Sequence, residues 1–84
     1  MNFTVGWLPD AEAELTAIWL ASVQRAAVTR AAAELDRRLA SNPTSEGESR
    51  PNDRRITFEP PLALIFRVDS GTKTVIVSQV WEFQ

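Results

Sequence analysis

Between Leu62 and Phe83 two strongly apolar runs flank the tetrapeptide Asp69-Ser70-Gly71-Thr72. Turn-forming residues between apolar runs of this length join the arms of a β-hairpin. In the first run Leu62, Leu64, Phe66 and Val68 share one face, and Ala63, Ile65 and Arg67 the other. In the second, Thr74 to Phe83, strict alternation puts Val75, Val77, Trp81 and Phe83 on one face, with Ile76 and Val80 opposite. Apolar residues on both faces predict a central strand covered from both sides. Whatever fold the chain adopts must place this hairpin inside a sheet.

The rest of the chain supplies the cover. Asn2 to Trp7 alternates Phe3, Val5 and Trp7 against Asn2, Thr4 and Gly6, the period of a half-buried strand. Leu8-Pro9-Asp10 then opens a helix, because proline suits a first turn and Asp10, Glu12 and Glu14 suit the positive end of the dipole. Leu15, Ile18, Trp19, Ser22 and Val23 recur at helical spacing. After Gln24-Arg25 a second stripe begins with Val28, Ala31, Ala32, Leu35 and Leu39. Two helices are expected, since an uninterrupted helix of that length would be odd in so small a domain. Glu34, Asp36, Arg37 and Arg38 read as the solvated face of the second helix, with Arg30 and Glu34 as an i,i+4 pair.

Asn42-Pro43 ends the helical region, and residues 43–53 read as a loop. Arg55 to Glu59 is a strand with Ile56 and Phe58 facing inward, and Pro60-Pro61 breaks it. The expected architecture is α+β, a single domain over residues 1–84. Its order is strand–helix–helix–strand–strand–strand, a helical hairpin packed on a mainly antiparallel four-stranded sheet.

Composition narrows the chemistry. The chain is 44% apolar and 24% charged, as in globular proteins. It contains no cysteine, histidine or tyrosine. Disulfides, thiolate metal sites, an imidazole base and a phenolic proton donor are therefore excluded. No metal-ligand cluster or phosphate-binding glycine loop occurs, so no cofactor is expected. No run approaches the length of a membrane span, and no signal-peptide pattern is seen at the N-terminus, so a cytoplasmic setting without a membrane partner is expected. Trp7 and Trp19 are expected in the core; Trp81 suits either a core or a base-stacking role.

The net charge of −2 hides an uneven distribution. Residues 1–48 hold seven acids and four arginines, whereas residues 49–84 hold four acids and five basic residues. Arg50, Arg54 and Arg55 cluster in a polar stretch, and Arg67 follows on the next apolar strand. A guanidinium keeps its charge and offers a planar fork matched to phosphate or carboxylate. These four residues are the candidate anion-reading surface.

The ordered text of the chain also resembles a known family. A strand with a Trp, the helical segment A-E-L-x-x-I-W-L, the loop GESR, then R-I-T-F-E-x-P-L-x-L-I-F-R-V and V-I-V-S-Q-V-W look like the RelE/ParE superfamily, from Val5 to about Trp81. These are small bacterial toxins of type II toxin–antitoxin systems, often called plasmid stabilisation proteins. The resemblance implies a toxin silenced by a cognate antitoxin. It also implies a target: ribosome-bound messenger RNA, cut by the endoribonuclease branch, or DNA gyrase, inhibited by the ParE-like branch. The alternative is a catalytically inactive module that only engages an antitoxin-like partner.

Carried over by position, Arg67 matches the strand arginine that acts on the scissile phosphate, and Arg50, Arg54 and Arg55 match basic phosphate-binding positions. Many active nucleases have His or Tyr near the end of the last strand, where this chain reads Trp81-Glu82-Phe83. Attack by a 2′-hydroxyl needs a base, charge stabilisation at phosphorus and an acid for the leaving oxygen. Arg67 suits the second need. Glu82 is the candidate base, with Glu46 and Glu48 as loop carboxylates of the same kind.

Overall fold

The computed structural model describes residues 2–83. Along the chain these form β1 (Thr4–Trp7), α1 (Pro9–Ala21), α2 (Arg25–Ser41), a 3-10 turn (Pro43–Ser45), β2 (Glu48–Arg50), β3 (Arg54–Glu59), β4 (Leu62–Asp69) and β5 (Thr74–Glu82). The described strands make one sheet in the order β1-β5-β4-β3-β2. β1 runs parallel to β5, and the other neighbours are antiparallel. The α+β architecture and the helical hairpin follow the sequence reading, but the sheet has five strands where four were expected. The additional strand, β2, lies inside the stretch read as loop. Its three residues are all exposed at a sheet edge, so they carry no apolar alternation to betray them.

Both helices lie on one face of the sheet. Proline stands at the start of α1, followed by Asp10 and Glu12 in the first turn. The helix ends where Ser22 turns extended and its N–H donates to the Ile18 carbonyl at 2.9 Å. α2 restarts after Gln24 and buries Val28, Ala31, Leu35 and Leu39 at helical spacing. These meet Ala11 of α1, Leu62, Leu64 and Phe66 of β4, and Val75, Val77 and Val80 of β5. Each large side chain buried in that layer contributes about 1.5–3 kcal/mol relative to exposure.

Arg25 locks the hairpin. Its Nε donates to the Trp19 carbonyl at 2.9 Å and its Nη2 to the Leu20 carbonyl at 2.7 Å. The guanidinium also lies 4.9 Å from the Trp19 ring centroid. One side chain thus satisfies carbonyls left over at the end of α1 and stacks on its last aromatic. Arg25→Ala is expected to cost about 1 kcal/mol and to lower the melting temperature by about 5 °C. Thermal unfolding followed by circular dichroism checks this.

Four facing assignments are corrected by the structure. Trp19 is 40% exposed and Val23 fully so, because α1 stops at Ala21 and its packed face is carried by Ala11, Leu15 and Ile18. Trp7 packs against the core as expected, its Nε1 donating to Asp36 at 3.0 Å. On β3 the buried residue is Thr57, not Ile56 or Phe58, since Thr57 pairs with Leu64 and Glu59 with Leu62. On β5 the register shifts by one residue opposite Ile65/Phe66. Ser78 is the extra residue, so Val80 joins Val75 and Val77 in the core and Trp81 turns to the other face. Finally, the second face of β5 is open rather than covered, with Gln79 and Trp81 exposed.

Candidate functional site: an arginine row on the open sheet face

The site is built by strand register. Arg50 pairs with Arg54 across β2 and β3, and Arg54 pairs with Arg67 across β3 and β4. Directly opposed residues project to the same face. The partners of this row are Ile76 on β5 and Gly6 on β1, whereas Val5, Trp7, Val75 and Val77 pack on the helical side. Arg50, Arg54 and Arg67 therefore form a row on the face that the helices leave open.

Local sequence explains the row. Pro51-Asn52-Asp53 turns β2 back onto β3, with Asn52 at φ 66° and Asp53 at φ 61°. Asn and Asp tolerate this left-handed region better than other side chains with a Cβ. Upstream, Gly47 at φ 65° aims the chain into β2. Arg67 is carried by β4, whose Leu62, Leu64 and Phe66 are fully buried on the opposite face, so its position is fixed by core packing.

The electrostatics of the row are unbalanced. Arg50 meets Glu48 at 3.1 Å, an exposed pair worth little. Arg54 Nε donates to the Pro51 carbonyl at 3.1 Å. Among the described residues Arg67 has no hydrogen-bond or ion-pair partner. Like charges directly opposed across strands destabilise a sheet, and here no carboxylate separates Arg54 from Arg67. Beside them lies a trough of about 590 Å³ lined by Leu8, Arg54, Arg67, Ile76, Ser78 and Gln79. Arg54 also borders a second cleft, of about 270 Å³, shared with Arg50 and Arg55. Of the acids near the row, Asp53 lines the second cleft with Arg50, Arg54 and Arg55, and Asp69 Oδ1 accepts from the N–H groups of Gly71 and Thr72.

The other candidate residues stand outside the row, although Arg55 borders the cleft with Arg50 and Arg54. Arg55 pairs with Phe66 and so projects to the helical side. Its guanidinium donates to the Glu46 carbonyl at 2.9 Å, the Gly47 carbonyl at 3.2 Å and Ser49 Oγ at 3.0 Å. It clamps the loop that enters β2. Glu82 pairs with Leu62, on the helical side and roughly 16 Å down β4 from Arg67. Its Oε2 accepts from Ser22 Oγ at 2.9 Å and Gln24 Nε2 at 3.3 Å. It anchors the turn between the helices. Under the nuclease expectation from sequence, Glu82→Gln is predicted to leave RNA cleavage unchanged, whereas loss of a general base would slow it about 10²–10⁴-fold. Single-turnover cleavage assays separate the two.

Arg38 and Glu34 depart from the sequence expectation. Arg38, taken as solvated, reaches inward: Nη1 to Glu59 at 2.7 Å, Nη2 to the Phe58 carbonyl at 3.0 Å, and Nε 3.4 Å from Glu46. It ties α2 to β3 and to the loop before β2. The signal was present, because position 38 is seven residues beyond buried Ala31 and borders the apolar stripe. Glu34 likewise pairs with Arg37 rather than Arg30. That hydrogen bond holds the Glu34 carboxyl below the ordinary carboxylate range, with the Arg37 and Arg38 charges adding to it. A lowered folded-state value contributes stability above the unfolded value, lost as pH falls through the folded one. Carboxyl NMR titration is expected to show the Glu34 midpoint rising toward the ordinary range in Arg37→Ala.

Among the described residues no group of three or more carboxylates could hold a metal ion, and no helix is long and apolar enough to cross a membrane. No sequence-family model and no curated protein sequence matches the chain. Solved structures do match it. A chain of the toxin–antitoxin complex RelBE2 from Mycobacterium tuberculosis superposes with TM-score 0.79 at 17% identity, covering 98% of this chain and 99% of that one. The chromosomal ParDE system of P. aeruginosa gives 0.73 at 18% identity, covering 99% and 98%. A double arginine-to-alanine variant of E. coli toxin RelE in the free state gives 0.74 at 13% identity, covering 98% and 84%.

Proposed function

For a chain with the RelE/ParE fold, we propose the role of toxin in a toxin–antitoxin pair, acting on RNA through the open sheet face and silenced by a cognate antitoxin. The observation that carries this reading is the Arg54–Arg67 opposition, two arginines paired in register and lining one trough, with no carboxylate paired to either. Such a pair is a liability until an anion lies across it. A phosphodiester supplies that anion, and a strand of them supplies it repeatedly along the row. The structural neighbours named RelBE2 and ParDE are toxin–antitoxin systems, which supports the pairing with an antitoxin.

The chemistry expected is cleavage of messenger RNA on the ribosome. The 2′-oxygen forms a bond to phosphorus and the P–O5′ bond breaks, leaving a 2′,3′-cyclic phosphate and a 5′-hydroxyl. Arg67 and Arg54 neutralise the charge that builds on the phosphoryl oxygens. With no imidazole or phenol in the chain, the 2′-hydroxyl proton passes to water and the leaving oxygen takes one from water. Cleavage is then slow by about 10²–10⁴ for each group missing, against a nuclease with both in place. The same absence of His and Tyr favours, as a second reading, inhibition of DNA gyrase without any cleavage.

Induced expression without a partner, followed by mapping of messenger RNA ends and a gyrase supercoiling assay, tests the proposal. Growth arrest with new transcript ends is expected. Arrest with intact transcripts and blocked supercoiling would transfer the assignment to gyrase. Arrest with neither would overturn both.

A further inference from the structure

Away from the arginine row the same sheet face becomes apolar and then aromatic. Ile56, Ile65 and Gln79 share one register row; Phe58, Ala63 and Trp81 share the next. Phe58 is 50% exposed and Trp81 38%, while Ala63 lies fully covered between their strands. Phe83, just beyond β5, meets Phe58 edge to face with ring centroids 5.8 Å apart. The aromatic row stands four residues along β3 and β4 from Arg54 and Arg67, roughly 13 Å.

We infer that Phe58 and Trp81 form a nucleobase-stacking subsite for the strand whose phosphates lie on the arginine row. The inference rests on the RNA reading above. Its own support is the composition of the face. At the aromatic row the sheet narrows to β3, β4 and β5, because β2 reaches only Ile56 and β1 only Val77; an added strand would use those edges and not this face. What it does offer is ring faces and guanidinium forks, which complement bases and phosphates. Glu48 and Asp69, the acids of this face, are engaged with Arg50 and with the β4–β5 turn. A purely apolar patch would suit a protein helix equally well; continuity with unpaired positive charge favours a single-stranded nucleic acid. Stacking is tolerant of base identity, so the subsite holds the strand in place with little sequence preference.

The test uses the full chain and a short fluorescein-labelled 2′-O-methyl RNA, which cannot be cut, beside an abasic strand of equal length. Phe58→Leu and Trp81→Leu keep an apolar side chain and remove the aromatic face; melting curves confirm that both fold. Each is expected to weaken binding of the RNA about tenfold and to leave the weaker abasic binding unchanged. Arg67→Ala is expected to weaken both strands alike. Equal affinity for the two strands, or wild-type binding by the leucine variants, would overturn the stacking subsite while an Arg67 effect kept the phosphate row. No Arg67 effect on either strand would overturn the row and the subsite together. If the leucine substitutions instead changed the sedimenting mass with strand binding intact, the patch would be a contact between copies of the chain and the inference would fail.

Discussion

Arg67→Ala is expected, on the proposed ribonuclease reading, to slow transcript cleavage about 100-fold and to weaken growth arrest, the loss seen when a donor aimed at developing charge is removed. Stability should move the other way, slightly. Arg67 is exposed, has no partner among the described residues, and faces Arg54 directly. Removing it relieves a like-charge opposition and breaks no contact that stabilises the sheet. A surface change of this kind stays within about 0.5 kcal/mol. Arg67→Lys keeps the charge and loses the bidentate fork, so it should recover part of the activity. Paired measurements of cleavage rate and denaturant midpoint decide the matter. If activity fell only in step with stability, the residue would be structural and the row would lose its role.

Gly47→Ala is the second substitution with a large expected effect. A Cβ at this position would stand 1.9 Å from the Ile56 carbonyl oxygen and 2.7 Å from its carbon. Those are backbone atoms of β3, so they cannot swing aside. The φ of 65° adds strain for any residue with a Cβ. A loss of about 3 kcal/mol is expected, near 15 °C in melting temperature for a domain of this size. Asn rescues many left-handed positions but should fail here, because the obstruction is steric and every Cβ meets it. Function should suffer too. β2 would detach, taking Arg50 from the row and the Gly47 carbonyl from Arg55. Urea unfolding of the alanine and asparagine variants, together with strand binding, tests both parts. Near-normal stability in Gly47→Asn would show that φ alone matters.

How far the sequence revealed this molecule depends on what each signal reports. Periodicity reports burial, and burial is strong in α2 and β4, so Val28, Ala31, Leu35, Leu39, Leu62, Leu64 and Phe66 were legible. It failed at β2, where nothing is buried, although Pro51-Asn52-Asp53 carried a turn signal. It failed along β5, because strict alternation cannot register an inserted residue such as Ser78; the bulge exchanged Val80 and Trp81. At β3 the inward positions are polar, Thr57 and Glu59, and only their partner Arg38 on α2 makes them acceptable inside. Sequence cannot pair a helix arginine with a strand carboxylate across some twenty intervening residues without the fold.

The candidate site was legible in kind and not in grouping. Arginine clustering pointed to residues 50–67, and strand register then sorted them. Arg50, Arg54 and Arg67 share a face because odd and even positions align across two antiparallel pairs. Arg55, one residue from Arg54, lands on the opposite face for the same reason. Glu82 was chosen for its place near the chain's last strand, yet its oxygens serve the helix–helix turn.

The parallel seam between β1 and β5 has a consequence for biosynthesis. Residues 4–7 leave the ribosome early, but their partners are residues 74–77. A nascent chain can form α1 and α2 as soon as they emerge, since their bonds are local. The sheet cannot close around β5 until the final segment is made. The five-stranded sheet is therefore complete only once residues 74–77 have emerged, and a product stopped short of them would leave β1 unpaired and the core without Val75 and Val77.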